Sequence, residues 1–592
     1  MASGTAHLPF ISIQMNETLI QRAQSRAQEW LKAPYDLATQ ERVARLLNAG
    51  GDEWVEAFHT DLEFGTGGLR GIMGDGSNRM NEYTVAQATQ GFANYLRKAF
   101  GDGEHGIAIA HDCRRNSRFF TEVAADVFAA NGFVVHVFEE LRPTPVLSFA
   151  VRELNCVGGI VITASHNPPK YNGYKVYWCD GGQVTDPHDQ GITDEVRSLS
   201  GYAAVKRNGD PTRIRPIGRD LDERYLACVR AQVLEPRTLA SQRAMPMVYT
   251  SLHGTGITLL PEALALIGFE KVHVVARQAE PNGDFPTVKS PNPEEGAALA
   301  MAIEEAAVCG AEVVMGTDPD CDRVGIAVRT REGNYTLLNG NETGTLLVWY
   351  QLSRLNAQQR LPANGFVGKT IVTTELIRHI AKGFDVPCYD TLTGFKHLAR
   401  LIADREPNEQ FITGGEESYG YMIGDFVRDK DGIAAACMIA EMVAWCKQAG
   451  LTVLDLLEQI HREFGLYRES LVSMEKEGLE GSLAIQTMME GFRNNPPSHL
   501  AGSAVVAIRD YRAQLRRDLV SGEETPIHLP KSNVIQFELA DLSLVTARPS
   551  GTEPKIKFYF SVVKHVHGDY LALRADVDRR LNALQTALLH TD

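Results

Sequence analysis

Short β-branched runs, among them Ile107-Ala-Ile-Ala, Phe133-Val-Val-His-Val-Phe and Val272-His-Val-Val, alternate along this chain with helix-like segments such as 120–130. That alternation predicts α/β layers. At 592 residues the chain exceeds what one hydrophobic core supports, and roughly three to six domains are expected. The polar, proline-containing stretch 201–218 reads as an excursion near the end of the first domain. A new strand begins at Met245-Pro-Met-Val-Tyr and leads into Leu252-His-Gly-Thr-Gly256, whose glycines read as structural rather than substrate-touching. The apolar stretch 433–446 is too short to span a bilayer and contains Glu441, so it reads as a buried helix.

The segment Gly159-Ile-Val-Ile-Thr-Ala-Ser-His-Asn-Pro-Pro-Lys-Tyr-Asn-Gly-Tyr-Lys175 places Ser165 where an apolar strand stops. Asn167-Pro168-Pro169 continues neither a strand nor a helix, which predicts an exposed serine on a rigid loop. A serine hydroxyl is a poor nucleophile without a base or cation beside it, and His166 and Lys175 are the local candidates. Asn172-Gly173 reads as a tight turn that would return Lys175 toward Ser165. A serine-rich loop with a surface histidine is the ordinary alternative.

In Glu312-Val-Val-Met-Gly-Thr-Asp318-Pro-Asp320-Cys-Asp322-Arg323 three carboxylates alternate after a short strand. In extended backbone, alternate side chains point to one side, so Asp318, Asp320 and Asp322 are expected to converge, with Cys321 facing away. Such a cluster repels itself unless a cation sits within it. Oxygen-only ligands favour Mg²⁺. An EF-hand loop is excluded, since its sixth and twelfth positions would be Arg323 and Arg329. An aspartyl-phosphate phosphatase stays open on spacing alone, and a solvated acidic turn is the bland alternative.

Thr546-Ala-Arg548-Pro-Ser550-Gly551-Thr552-Glu-Pro-Lys555-Ile-Lys557 offers an Arg fork, two hydroxyls and a Gly-containing turn, the set a phosphate group wants. Gly414-Gly-Glu416-Glu417-Ser418-Tyr419-Gly420 presents acceptors and a hydroxyl suited to sugar hydroxyls, a weaker signal by itself.

A formal net charge of −15 argues against a nucleic-acid or membrane-surface protein, while leaving room for cations gathered in a cleft. Nine cysteines without a Cys-x-x-Cys pair read as reduced, cytoplasmic thiols. The opening Met1-Ala-Ser-Gly-Thr-Ala-His has no basic segment leading into an apolar core, so no signal peptide is expected.

Together these segments resemble the α-D-phosphohexomutase superfamily, within it the phosphoglucomutase and phosphopentomutase branch. The resemblance also takes in Gly65-Thr-Gly-Gly-Leu-Arg70, Thr393-Gly-Phe-Lys396 and Arg428-Asp-Lys-Asp-Gly432, and spans nearly the whole chain. It implies three similar α/β domains plus a smaller C-terminal α+β domain around a central cleft. The boundaries fall at 1–235 with the phosphoserine loop, 236–338 with the metal loop, 339–465 with the sugar loop, and 466–592 with the phosphate clamp. It further implies that Ser165 carries a phosphoryl group, and that Asp318, Asp320 and Asp322 hold Mg²⁺ with a phosphoserine oxygen. By the same resemblance Arg70 and Arg323 would flank the phosphoryl group, and Lys175, His166 and Lys396 would serve as proton shuttles or charge stabilisers. Glu416 and Ser418 would read the sugar, and Arg548, Ser550, Gly551, Thr552 and Lys557 would clamp the distal phosphate. Some relatives carry a histidine just after the Gly-Glu-x-Ser loop; Tyr419-Gly420 stands here, which shifts acid and base duties toward the lysines.

The activity so implied is interconversion of glucose 1-phosphate and glucose 6-phosphate through a bisphosphorylated sugar, with glucose 1,6-bisphosphate as activator. Mannose and pentose phosphates are alternatives within the family; a phosphatase and a non-catalytic sugar-phosphate sensor are alternatives outside it. Sugar phosphates are the expected partners of a monomer or small homo-oligomer.

Overall fold

A computed structural model describes residues 17–65, 67–476, 478–550 and 555–589. Three sheets follow one another along the chain, each with a parallel core and an antiparallel strand added after it. In the first the order is Gly68–Ile72, Tyr171–Trp178, Gly158–Ile162, Gly106–His111, Val134–Phe138, Ile214–Ile217. The last four strands run parallel, and Tyr171–Trp178 lies antiparallel to Gly158–Ile162 on one side and to Gly68–Ile72 on the other. The second sheet, Tyr335–Leu338, Val324–Arg329, Val313–Thr317, Met247–Thr250, Val272–Val274, has parallel pairs at its end and an antiparallel hairpin at Val313–Thr317 and Val324–Arg329. The third, Cys388–Thr391, Gly365–Thr370, Gln410–Glu416, Gly420–Ile423, repeats the pattern with its hairpin at the last two strands.

The consequence for function is direct. In every case the loop that carries chemistry-bearing residues is the link between a parallel strand and the antiparallel strand that follows it: 163–170, 318–323 and 417–419. Strands such as Gly158–Ile162, buried along their full length, fix those loops on a rigid base.

Two expectations are corrected. Asn172 and Gly173 are not a turn but lie inside strand Tyr171–Trp178, where Gly173 pairs with Arg70. A Cβ at Gly173 would stand 2.4 Å from the Thr163 carbonyl oxygen, so close strand approach is what the glycine serves. The stretch 201–218 is not a mere excursion either: Ile214–Ile217 forms the edge strand of the first sheet.

Helices cover the sheets and are capped by local chemistry. Asn81 with Thr84, Asn339 with Glu342, and Thr452 with Asp455 form reciprocal capping boxes at the starts of Glu82–Phe100, Gly340–Ala357 and Val453–Phe464. The apolar stretch at 433–446 is the buried helix Gly432–Gln448; among the described residues no single helix is long and apolar enough to cross a membrane. Three helices ahead of the first sheet, Glu17–Glu29, Leu37–Ala49 and Glu53–Phe58, share a separate aromatic core of Trp30, Phe58 and Tyr83 that sequence patterning did not single out.

The C-terminal part is α+β. Its antiparallel sheet runs Leu466–Glu475, Lys555–Lys564, Leu544–Pro549, Ile535–Leu539, Ser503–Asp510, Leu515–Asp518, Glu524–Pro526, and helices Gly478–Asn494 and Tyr570–Leu589 close its core through Ile485, Met489, Val577 and Leu584.

Candidate active site

Ser165 sits just past strand Gly158–Ile162 with φ +52°, a left-handed conformation uncommon for a residue with a Cβ. The loop is held by its carbonyls. Arg114 donates from Nη2 to Ser165 O at 2.6 Å and from Nη1 to Pro168 O and Tyr171 O, each at 3.0 Å. The same guanidinium reaches Asn167 O, and Asp112 at 3.3 Å balances its buried charge.

Ser165 is buried, 4% exposed, contrary to the exposure expected from its loop. The reason is that loop 318–323 of the second sheet lies over it: Ser165 Oγ donates to Asp318 Oδ2 at 2.8 Å. His166 Nδ1 stands 3.3 Å from the same Oγ. Burial, with Arg323 and Arg70 adding to it, pushes the imidazole pKa well below its ordinary value, which favours the neutral ring.

Asp318, Asp320 and Asp322 do converge, with one ligand oxygen from each within 4.8 Å of the others. They do so through a turn rather than an extended segment. Cys321 takes φ +54°, and the backbone N–H groups of Asp322 and Arg323 both donate to Asp318 Oδ1 at 3.1 Å. Cys321 faces the core, as expected. The glycines of 252–256 support this turn from below. A Cβ at Gly254 would lie 2.4 Å from Pro319 Cα, and one at Gly256 would lie 2.2 Å from Tyr249 Oη, which bears out their structural reading.

The carboxylates divide their oxygens. Asp320 Oδ2 accepts from Lys175 Nζ at 2.7 Å and from Thr144 Oγ1 at 3.2 Å. Asp322 Oδ2 accepts from Lys175 Nζ at 3.0 Å and pairs with Lys430 Nζ at 3.2 Å. Asp320 Oδ1 and Asp322 Oδ1 are buried with no hydrogen-bond partner. Burial raises the Asp318 pKa well above the usual carboxylate range, reinforced by its two neighbours, whereas at Asp320 burial is opposed by Lys175, Asp318 and Lys430, which together hold its pKa below the usual range. Unsatisfied buried carboxylate oxygens beside a hydroxyl fit a hard, oxygen-seeking cation.

Lys430 arrives on segment 425–431, which is threaded between domains. Arg428 N donates to Ser148 Oγ at 2.8 Å, Asp429 Oδ2 accepts from Tyr177 Oη at 2.7 Å, and Asp431 accepts from Tyr225 Oη at 2.8 Å while capping helix Gly432–Gln448. The segment thus ties the third sheet's hairpin to strand Tyr171–Trp178 and to the helices that carry Ser148 and Tyr225, and delivers its lysine to the aspartates.

A cleft of about 660 Å³ opens beside Ser165. His166, Arg323, Glu416, Ser418, Arg548 and Lys557 all line it, so segments far apart in sequence meet there. Glu416 Oε1 accepts from Gly394 N at 2.8 Å, linking the loop at 393–394 to the sugar loop. Burial, then the neighbouring Arg548, lowers the Lys557 pKa. Ser550 N donates to Lys555 O at 2.7 Å; Gly551 and Thr552 lie outside the described residues. Arg70 is bonded to Asn167 Oδ1 at 3.1 Å, on the rim of the serine loop. Lys396 turns to Asp189 Oδ2, 3.4 Å away, and does not line the cleft.

Arg114, Thr144, Glu294 and Lys430 were not singled out as site residues from sequence. Asp112-Cys-Arg114, directly after strand Gly106–His111, was a signal of the same kind as the aspartate loop, a charged run at a strand end.

The chain matches "Phosphoglucomutase/phosphomannomutase, alpha/beta/alpha domain I" over residues 61–202, domain II over 223–333 and domain III over 339–464. It is 37% identical to a phosphoglucomutase of Staphylococcus haemolyticus, over 86% of this chain and 91% of that one. It is 38% identical to one of Staphylococcus epidermidis, over 87% and 93%. Among solved structures, the open form of pp63/parafusin, a phosphoglucomutase from Paramecium, superposes with a TM-score of 0.66 at 18% identity, covering 89% of this chain and 95% of that one. A phosphoglucomutase/phosphomannomutase family protein from Burkholderia thailandensis gives 0.63 at 18% identity, covering 90% and 99%. These two likenesses bear on the fold.

Proposed function

Because the chain belongs to the α-D-phosphohexomutase superfamily, we propose that its cleft interconverts glucose 1-phosphate and glucose 6-phosphate, with Ser165 carrying the phosphoryl group between them. The enzyme is a mutase of the isomerase class acting on sugar phosphates. The observation that carries the assignment is Ser165 Oγ itself, hydrogen-bonded to Asp318 and 3.3 Å from His166, beside two carboxylate oxygens without hydrogen-bond partners. A serine in that setting is built to bear a phosphoester, which neither a binding protein nor an aspartyl phosphatase requires. Asp318 has its Oδ1 occupied by two backbone N–H groups and its Oδ2 by Ser165, a poor arrangement for a nucleophile.

The oxygens at the two ends of a hexose cannot share one phosphoryl position, so transfer takes two steps. Phosphorylated Ser165 gives its phosphoryl to the free hydroxyl of the bound sugar phosphate, the bisphosphorylated sugar turns end for end, and Ser165 takes back the other phosphoryl. Neutral His166 is placed to take the proton released by the attacking hydroxyl, and ammonium groups at Lys175 and Lys430 hold the aspartates in register. Arg323 and Arg70 balance the charge of about −1.5 to −2 on the phosphoserine. Glu416 and Ser418 would engage sugar hydroxyls, and Arg548 with Lys557, Ser550, Gly551 and Thr552 the phosphate that is not transferred. Asp318, Asp320 and Asp322 with the Ser165 phosphoester would hold Mg²⁺, which when bound supplies positive charge to the transferring phosphoryl group. Water must be kept out during transfer, and the buried position of Ser165 serves that end. All nine cysteines are free thiols, which accords with a cytoplasmic enzyme.

Phosphorus NMR of the protein with Mg²⁺, glucose 1-phosphate and a trace of glucose 1,6-bisphosphate tests this reading. Glucose 6-phosphate should appear without free phosphate. Release of inorganic phosphate would overturn it in favour of a phosphatase, and no turnover would send the substrate question to mannose and pentose phosphates.

A further inference from the structure

Glu294 is a carboxylate in a cleft that must accept dianionic phosphate esters, and so it stands against the local electrostatics. Its Oε1 takes Nη1 of Arg323 at 2.6 Å. The loop that carries it is firmly seated: Asn292 Oδ1 accepts from Glu294 N at 3.2 Å, and a Cβ at Gly325 would stand 2.3 Å from Pro293 O, so the loop is pressed on the strand that begins just after Arg323. Arg323 is also tied at its backbone, where N donates to Asp318 Oδ1. One edge of its guanidinium is thereby occupied, Nε stands 3.8 Å from Asp322 Oδ1 without a hydrogen bond, and the residue lines the cleft next to His166.

We propose that Glu294 is a positioning residue for phosphoryl transfer: by holding Nη1 it presents the remaining edge of Arg323 to the phosphoryl group as it moves between Ser165 and the sugar. The inference rests on the mutase reading above. A long Arg side chain free to swing would still attract phosphate in the ground state but would meet the transition state in a spread of geometries, and a misplacement of about 1 Å can cost on the order of a hundredfold in rate. Glu294 also lowers the attraction of the unoccupied cleft for phosphate, so its removal should not weaken ground-state binding.

The test is steady-state kinetics on the full chain with glucose 1-phosphate and saturating glucose 1,6-bisphosphate, alongside thermal unfolding. Failure of the wild type to form glucose 6-phosphate would sink the mutase reading itself. Given an active wild type, Glu294→Ala should lower kcat about tenfold to a hundredfold with KM unchanged or lower. Glu294→Gln, which keeps an acceptor for Nη1 and folds in the same shape, should recover most of that loss. On an Arg323→Ala background, Glu294→Ala should have almost no further effect. The proposal is overturned if Glu294→Ala leaves kcat near wild type, if the loss appears as a raised KM, if Glu294→Gln is folded yet as slow as Glu294→Ala, or if the same loss is seen without Arg323.

Discussion

The Tyr177 hydroxyl donates to Asp429 at 2.7 Å, joining the strand that carries Lys175 to the segment that carries Lys430. Gln183 Nε2 reaches the same Asp429 oxygen at 3.0 Å, so the carboxylate is anchored twice from the first domain. Tyr177→Phe removes the shorter anchor inside a buried network, which should cost about 1–3 kcal/mol in unfolding free energy. It should also lower kcat, because Asp429, which accepts from Lys430 Nζ at 3.2 Å, loses one of the two bonds that fix it. Unfolding and turnover measured on the same preparation check both; an unchanged kcat would mean that the segment's contacts to Ser148 and Tyr225 position Lys430 by themselves.

Replacing Ser165 by Ala should reduce turnover on the order of 10⁴- to 10⁶-fold, as loss of a serine nucleophile does elsewhere, and should abolish phosphoprotein in intact-mass spectra. Glucose 1-phosphate should still bind by calorimetry. Retained turnover would show that another group carries the phosphoryl.

Arg114 fastens four carbonyls of the serine loop and is itself neutralised by Asp112, both side chains fully buried. Arg114→Met strands a buried carboxylate as well as the carbonyls, so a loss of about 3–5 kcal/mol is expected in denaturant unfolding. A variant within about 1 kcal/mol of wild type would contradict this account of the loop.

Gly254→Ala should weaken metal binding from a distance. The new methyl group meets the backbone of Pro319 between Asp318 and Asp320, and relief requires that turn to shift. Overpacking of this kind costs about 1–3 kcal/mol. Titration calorimetry with Mg²⁺ or Mn²⁺ should show reduced affinity; an affinity equal to wild type would place the strain elsewhere.

Acid should weaken the contact between helix Val453–Phe464 and helix Tyr570–Leu589. His461 Nδ1 meets Tyr570 Oη at 2.8 Å, linking helix Val453–Phe464 to helix Tyr570–Leu589, and burial lowers the imidazole pKa from 6.5 to about 3. The native state therefore binds fewer protons than the unfolded chain between those values. The stability from this group is complete above pH 6.5 and falls as pH drops toward 3, by about 1.4 kcal/mol at pH 5.5. Unfolding of wild type and His461→Leu at pH 7.5 and 5.5 isolates the contribution; equal pH dependence in the two would exclude His461 as its source.

The chemistry of the site was legible in the sequence because it sits in short runs whose residue types have few other uses together. Asp318-Pro-Asp-Cys-Asp-Arg323 announces a cation whether the backbone is extended or turned, which is why the convergence held although the extended geometry did not. Exposure of Ser165 was misread because a loop's burial depends on what another sheet places over it, and no local pattern encodes that. Gly173 was misread as a turn for a related reason: Asn-Gly is a strong turn signal, but a glycine is also required where neighbouring strands crowd it. Glu294 acts on another residue rather than on substrate and stands in no run that looks chemical, whereas Arg114 closes a charged run at a strand end that offered the same signal as the aspartate loop. The N-terminal helices rest on Trp30, Phe58 and Tyr83, spread too widely for periodicity to connect them.

The way Asp320 and Asp322 split their oxygens bears on which ion the site can prefer. With Oδ2 of each committed to lysine, each has a single oxygen left to give, so neither can chelate through both. Calcium is commonly served by bidentate carboxylates and about six to eight oxygens, whereas magnesium takes single oxygens at octahedral corners and fills the rest with water or phosphate. Lys175 and Lys430 would thus act as a size filter as well as counter-ions, and a calcium titration that matched magnesium in affinity would show the filter to be absent.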